Sequence, residues 1–145
     1  MTYLDHQRAL YQISNHLGIR NGDLRNAIIW GNHSPSMHVD FSHVEKVDGS
    51  KLEIKLEEVD HLVPKVQKRG GEILQKRGMS SALSAAFAIC EHVNKWIIGT
   101  AEGEIISMGV FPPEQNTFGI PSDICFSVPV KCSQGDWHLS SNFEV

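Results

Sequence analysis

Apolar positions recur at helical spacing near the start of the chain, where Leu10, Ile13 and Leu17 share a face and Gly18 follows as a stop. The pattern predicts a helix over residues 4–17. Ala27-Ile28-Ile29-Trp30 is a short uninterrupted apolar run ending at Gly31, which reads as a buried strand presenting the polar turn Asn32-His33-Ser34-Pro35. Met37, Val39 and Phe41 alternate with His38, Asp40 and Ser42, and beyond an Asp48-Gly49 turn signal Leu52, Ile54 and Leu56 alternate with charged residues. These two stretches predict a hairpin of half-buried strands. Pro64 suits the first turn of a helix running to Arg77, with Gly70-Gly71 in its middle costing about 1 kcal/mol each. Ser80 or Ser81 then caps a helix whose Leu83, Ala86, Phe87, Cys90, Val93 and Ile97 form one continuous apolar face, closed by Gly99. Strand texture follows: residues 104–111, a Pro/Gly/Asn loop over 112–121, then Ile124, Phe126, Val128 and Val130 facing one way against Cys125, Ser127 and Pro129, and a short strand around Trp137. The expected product is an α+β layer, helices packed on antiparallel strands, with no internal repeat or dividing linker.

Composition narrows the class. A chain of 145 residues has the length of one domain, and 41% hydrophobic with 21% charged residues is globular rather than disordered or fibrous. A formal charge of −4 without a dense Lys/Arg stripe disfavours nucleic acid and anionic lipid as partners. The apolar run from Ala82 to Cys90 falls far short of the roughly 20 residues a membrane span needs. The N-terminus has no basic region followed by an apolar core, and Cys90, Cys125 and Cys132 form no C-x-x-C, so a cytoplasmic, reduced protein is expected. Of the three cysteines, Cys90 is expected in the core and Cys132 in an exposed turn. His33, His38 and His43 are spaced by five, which alternates faces on a strand, and no thiolate or paired carboxylate completes a shell; no metal is expected.

The sequence contains no G-x-G-x-x-G, G-x-x-x-x-G-K-[ST], H-E-x-x-H or G-x-S-x-G motif, so candidate chemistry rests on pairs. Asp5 and Arg8 lie one turn apart on the first helix, and His33 follows the junction Trp30-Gly31-Asn32. An imidazole, an orienting carboxylate and a guanidinium clamp are the minimum set for handling the proton of a hydroxy acid. Each also has an ordinary structural role: Asp5 in a capping-box-like Thr2-x-x-Asp5 start, Arg8 on a solvated helix face, His33 in a surface turn.

Five blocks carry a resemblance: Leu4-Asp5-His6-Gln7-Arg8-Ala9, Ile29-Trp30-Gly31-Asn32-His33-Ser34, Val66-Gln67-Lys68-Arg69-Gly70-Gly71, Ser80-Ser81-Ala82-Leu83-Ser84-Ala85-Ala86 and Ser107-Met108-Gly109-Val110. With them the chain resembles the malate dehydrogenases of the cytosolic and related bacterial and chloroplast type, over their C-terminal half. The resemblance implies that residues 1–145 form a lactate/malate dehydrogenase C-terminal-like catalytic domain, with the N-terminal Rossmann domain and the final helix outside it. It implies reversible oxidation of malate to oxaloacetate with NAD, NADP remaining open, and a dinucleotide site whose residues lie in the other domain. His33 would be the acid/base acting on the 2-hydroxyl, Asp5 the carboxylate orienting it, and Arg8 the clamp on the C1 carboxylate. Ser81, with Ser80 beside it, would place a hydroxyl near substrate and nicotinamide while capping its helix. Full-length members are expected to be homodimers. The 145-residue chain alone is expected to turn over negligibly, or alternatively to serve as a noncatalytic module pairing with a full-length subunit through residues 81–98. Departures from the family pattern are Gln7 where Asn is usual, Tyr3 where Arg is common, and a shortened segment between Asp40 and Gln67 that lacks the usual tryptophan.

Overall fold

The computed structural model describes residues 1–50, 52–140 and 143. Helix α1 (Thr2–Leu17) opens two residues before its predicted start and closes at Gly18, whose φ of 66° lets the Ile19 N–H turn back to the Ser14 carbonyl. Strands β1 (Leu24–Arg25) and β2 (Ile28–Trp30) follow, separated by Asn26 at φ 68°. The Asn26 carboxamide explains that unusual backbone, because it donates to Glu45 Oε1 (3.0 Å) and the Gly103 carbonyl (3.1 Å) and accepts from the Ile105 N–H (2.8 Å).

The predicted hairpin does not form. Met37, Val39 and Phe41 are buried as the alternation requires, but strand β3 (His38–Asp40) pairs antiparallel with β2, and β4 (Glu45–Lys46) pairs with β1. Residues 52–55 carry no strand, and Leu56 opens helix α2 (Leu56–Val59). The cause is a competing period: Val59, Leu62 and Val66 are all buried at i, i+3 and i+7, and Glu57 and Glu58 suit a helical first turn. Helix α3 (Val63–Arg77), with Pro64 in its first turn, ends at Gly78.

Helix α4 (Ala82–Ile98) has its expected bounds, yet its apolar face meets little. Leu83 is 83% exposed and Phe87 61%, Ala86, Cys90, Val93 and Ile97 are exposed with them, and Ala88 is the one buried residue of the helix. Cys90 is therefore not a core residue. Strand β5 (Ile106–Val110) pairs antiparallel with β6 (Phe126–Ser133), which pairs with β7 (Asp136–Leu139). Because β6 starts at Phe126 and runs on to Ser133, Ile124 stays outside the sheet and exposed, while Cys132 points into the core at 4% exposure instead of sitting in a turn. Ser127, Val128, Pro129 and Val130 are all buried, so mid-strand the expected one-sided alternation gives way to burial on both faces.

Two apolar clusters flank one shared strand. Ile28 and Trp30 join Tyr3, Leu4, Met108 and Val128, whereas Ala27 and Ile29 join Ala9, Ile13, Val39 and Val66. The two-residue period of β2 sends alternate side chains to opposite clusters, which explains its continuous apolar run. Helix α1 contributes to both, so the Asp5-bearing turn and the end of β2 are locked side by side. No helix among the described residues is long and apolar enough to cross a membrane.

Candidate active site

Three elements converge at the end of β2. Gly31 adopts φ 98°, a conformation that L residues rarely adopt, and exchanges backbone hydrogen bonds with Ser127 of β6. That bend carries the chain out of the sheet so that the His33 ring returns over the first turn of α1. His33 Nδ1 lies 2.5 Å from Asp5 Oδ2. A carboxylate only accepts, so Nδ1 carries a proton and, in the neutral tautomer, Nε2 keeps its lone pair free. Asp5 is fully buried while the His33 side chain is 45% exposed, an arrangement that fixes one nitrogen inside and offers the other outside.

The second Asp5 oxygen is also committed. Arg8 Nη1 donates to Asp5 Oδ1 at 3.1 Å, and its Nη2 points at Ser81 Oγ at 3.5 Å. The guanidinium is 12% exposed and passes close to α3, where a Cβ at Gly70 would lie 3.8 Å from Nη1. An alanine methyl at this position would meet the clamp in ordinary van der Waals contact. Ser81 occupies the N-cap position of α4 but its hydroxyl makes no capping bond; it faces Arg8 instead, so the expected dual role is not seen. Ser80 is exposed, and its hydroxyl has no hydrogen bond to Asp5, Arg8 or His33. Asp5, Arg8, His33 and Ser81 are thus brought together from residues 76 positions apart, and Ser80 is left outside that set.

A cavity of about 310 Å³ opens beside His33, lined also by Gly31, Asn32, His92, Gly109 and Cys125. His92 and Cys125 lacked any chemical signal in the sequence. His92 sits on the inner side of α4 with its ring stacked on Tyr3 at 4.9 Å, and burial lowers its basicity. Tyr3 stacks in turn on His6 at 5.5 Å, and burial pushes the Tyr3 phenol up to about 12. The departure from Arg at position 3 is therefore absorbed as an aromatic stack.

Residues 2–144 match the family described as lactate/malate dehydrogenase, alpha/beta C-terminal domain. The chain belongs to this family. Relatives within the lactate/malate dehydrogenases include the cytoplasmic malate dehydrogenase of Zea mays, 42% identical over 152 residues, and the malate dehydrogenase of Corynebacterium jeikeium, 39% identical over 148 residues. Each comparison covers 100% of this chain but only 45% and 44% of the relative, so the chain spans less than half the length of the proteins it matches. Among solved structures, malate dehydrogenase from Naegleria fowleri superposes with a TM-score of 0.86 at 34% identity, covering 99% of this chain and 44% of that one. Lactate dehydrogenase from Trichomonas vaginalis in complex with NADH and oxamate superposes with a TM-score of 0.88 at 32% identity, covering 100% of this chain and 46% of that one. The expected α+β lactate/malate dehydrogenase C-terminal fold is the fold observed.

Proposed function

We propose that the chain is the substrate-binding and catalytic half of a cytoplasmic NAD-linked malate dehydrogenase, interconverting malate and oxaloacetate. The observation that carries this reading is the Asp5 carboxylate holding His33 through one oxygen and Arg8 through the other. With Nδ1–H held by Asp5, Nε2 of His33 accepts the proton of the 2-hydroxyl as C2 is oxidised, and the buried carboxylate stabilises the imidazolium that results. In the reverse direction the same nitrogen returns the proton to the carbonyl oxygen. Arg8, immobilised by Asp5 and Ser81, offers its remaining N–H groups to the C1 carboxylate as a planar fork. Ser81 fixes the clamp's direction, and Ser80 stands exposed beside it.

The dinucleotide finds only part of its site here. The His33 cavity, at about 310 Å³, has no Lys or Arg side chain in its wall, and Arg8 lines a separate pocket with Arg69, so nothing beside His33 is placed to hold a pyrophosphate. Hydride exchange at C2 is the chemistry that NAD supplies when bound by a complementary half of the enzyme. Steady-state oxidation of NADH with oxaloacetate tests the reading: the 145-residue chain alone runs at background, and adding a dinucleotide-binding half prepared from a full-length relative produces turnover. Turnover by the bare chain that His33→Asn abolishes would overturn the division of labour, and a stable complex of the two halves without turnover would overturn the catalytic reading.

A second reading, a noncatalytic module that pairs with a full-length subunit, draws on the open face of α4, where Leu83, Phe87, Val93 and Ile97 are exposed together. Size-exclusion chromatography with a full-length homologue is expected to shift the chain into a larger species. A chain that elutes as a monodisperse monomer in the partner's presence counts against it.

A further inference from the structure

Beside Asp5, the next residue of α1 is His6, a fully buried histidine that the proton chemistry does not use. Its Nδ1 lies 3.2 Å from Ser107 Oγ on β5, and the same hydroxyl accepts the Ile29 N–H of β2 at 2.9 Å. The ring also lies beside the Ala27 backbone. Burial keeps the imidazole neutral, with one N–H and one lone pair. With Nε2 carrying the single ring proton, Nδ1 accepts the O–H that Ser107 has left to give after taking the Ile29 N–H. One directed chain results: Ile29 N–H to Ser107 Oγ, and Ser107 O–H to His6 Nδ1.

The placement of these groups along β2 explains their purpose. Residues 27, 29 and 31 point their backbone groups to one edge of the strand, opposite the edge that pairs with β3. At Gly31 that edge is closed by backbone bonds to Ser127. Before Gly31, no backbone partner from β5 or β6 pairs with Ala27 or Ile29 among the described residues, and the His6 and Ser107 side chains take the place of the missing strand. The same two side chains tie α1 to β2 within one residue of Asp5 and four of His33.

The geometry points to His6 and Ser107 as positioning residues for the proposed reaction: their hydrogen-bonded pair stands in for a strand along β2 and sets the separation at which Asp5 meets His33. The inference rests on reading Asp5 and His33 as the proton-handling pair. Shape alone does not fill this role, since a phenyl ring at position 6 occupies the space and leaves the Ser107 O–H without its acceptor. A glutamine supplies an amide oxygen that can accept the Ser107 O–H.

The test follows the low-field Nδ1–H proton of His33 by NMR in the 145-residue chain, identified by its loss in His33→Asn. In His6→Phe and in Ser107→Ala its exchange with water is expected to quicken at least tenfold, while circular dichroism and the bulk amide spectrum keep the native pattern. His6→Gln is expected to restore exchange to within threefold of the parent. Unchanged exchange in both folded His6→Phe and Ser107→Ala overturns the inference and leaves the Asp5–His33 pairing standing. Exchange in His6→Gln as fast as in His6→Phe overturns it in favour of simple packing. Absence of the low-field proton from the parent chain overturns the pairing itself, and the inference with it. If His6→Phe does not fold, Ser107→Ala decides alone, because it removes a single oxygen.

Discussion

In a complete enzyme assembled from this chain and a relative's dinucleotide-binding half, His33→Asn is expected to lower kcat by about 10²–10⁴-fold, the range for loss of a positioned acid/base. An amide fills the imidazole's place and can still meet Asp5, so binding of oxaloacetate through Arg8 survives and KM moves little. The loss falls on the step in which a proton must reach or leave the substrate oxygen. Steady-state NADH oxidation across oxaloacetate concentrations separates the two parameters. A kcat reduced by less than tenfold sinks the acid/base role, and a rise in KM with kcat intact reassigns His33 to binding.

The other large effect is on stability. Burial lowers the His6 imidazole to about 4, against an ordinary value near 6.5. The unfolded chain therefore takes up a proton near pH 6.5, whereas the folded chain refuses it until about pH 4. Between those limits the unfolded state binds more protons, so stability is full above pH 6.5 and falls as pH drops, by up to about 3 kcal/mol from this one group. Urea unfolding at a series of pH values checks this, with His6→Gln as the comparison, since glutamine removes the titration and keeps an acceptor for the Ser107 O–H. The parent's curve is expected to fall away from that of His6→Gln below pH 6.5; two curves that stay parallel down to pH 4 would contradict it.

Much of this arrangement is legible in the residues. Gly18, Pro64 and Gly78 mark helix ends by backbone chemistry that needs no tertiary context, Gly99 marks another where the chain meets β6, and α1, α3 and α4 fall where they indicate. Strand partners are less legible. The alternation at Met37, Val39 and Phe41 reports which side chains are buried but not against what, and the partner proved to be β2 and not residues 52–56. At the site, Asp5, Arg8 and His33 could be grouped because motif blocks carried them together. His6 and Ser107 could not, because a buried histidine and a strand serine look ordinary until the missing backbone partner of Ile29 is seen. For α4, periodicity identifies an apolar face, and such a face has the same pattern whether it is covered from within the chain or left outward.

The double-sided burial of β2 has a mechanical meaning. With Ile28 and Trp30 held by one apolar cluster and Ala27 and Ile29 by the other, neither cluster can loosen without withdrawing one wall from the strand that ends at Trp30 and leads to His33. Catalytic alignment is in this sense jointly owned: a packing defect at Val66 or at Val128, on opposite sides of the strand and neither one part of the proton-handling set, reaches the imidazole along the same three residues.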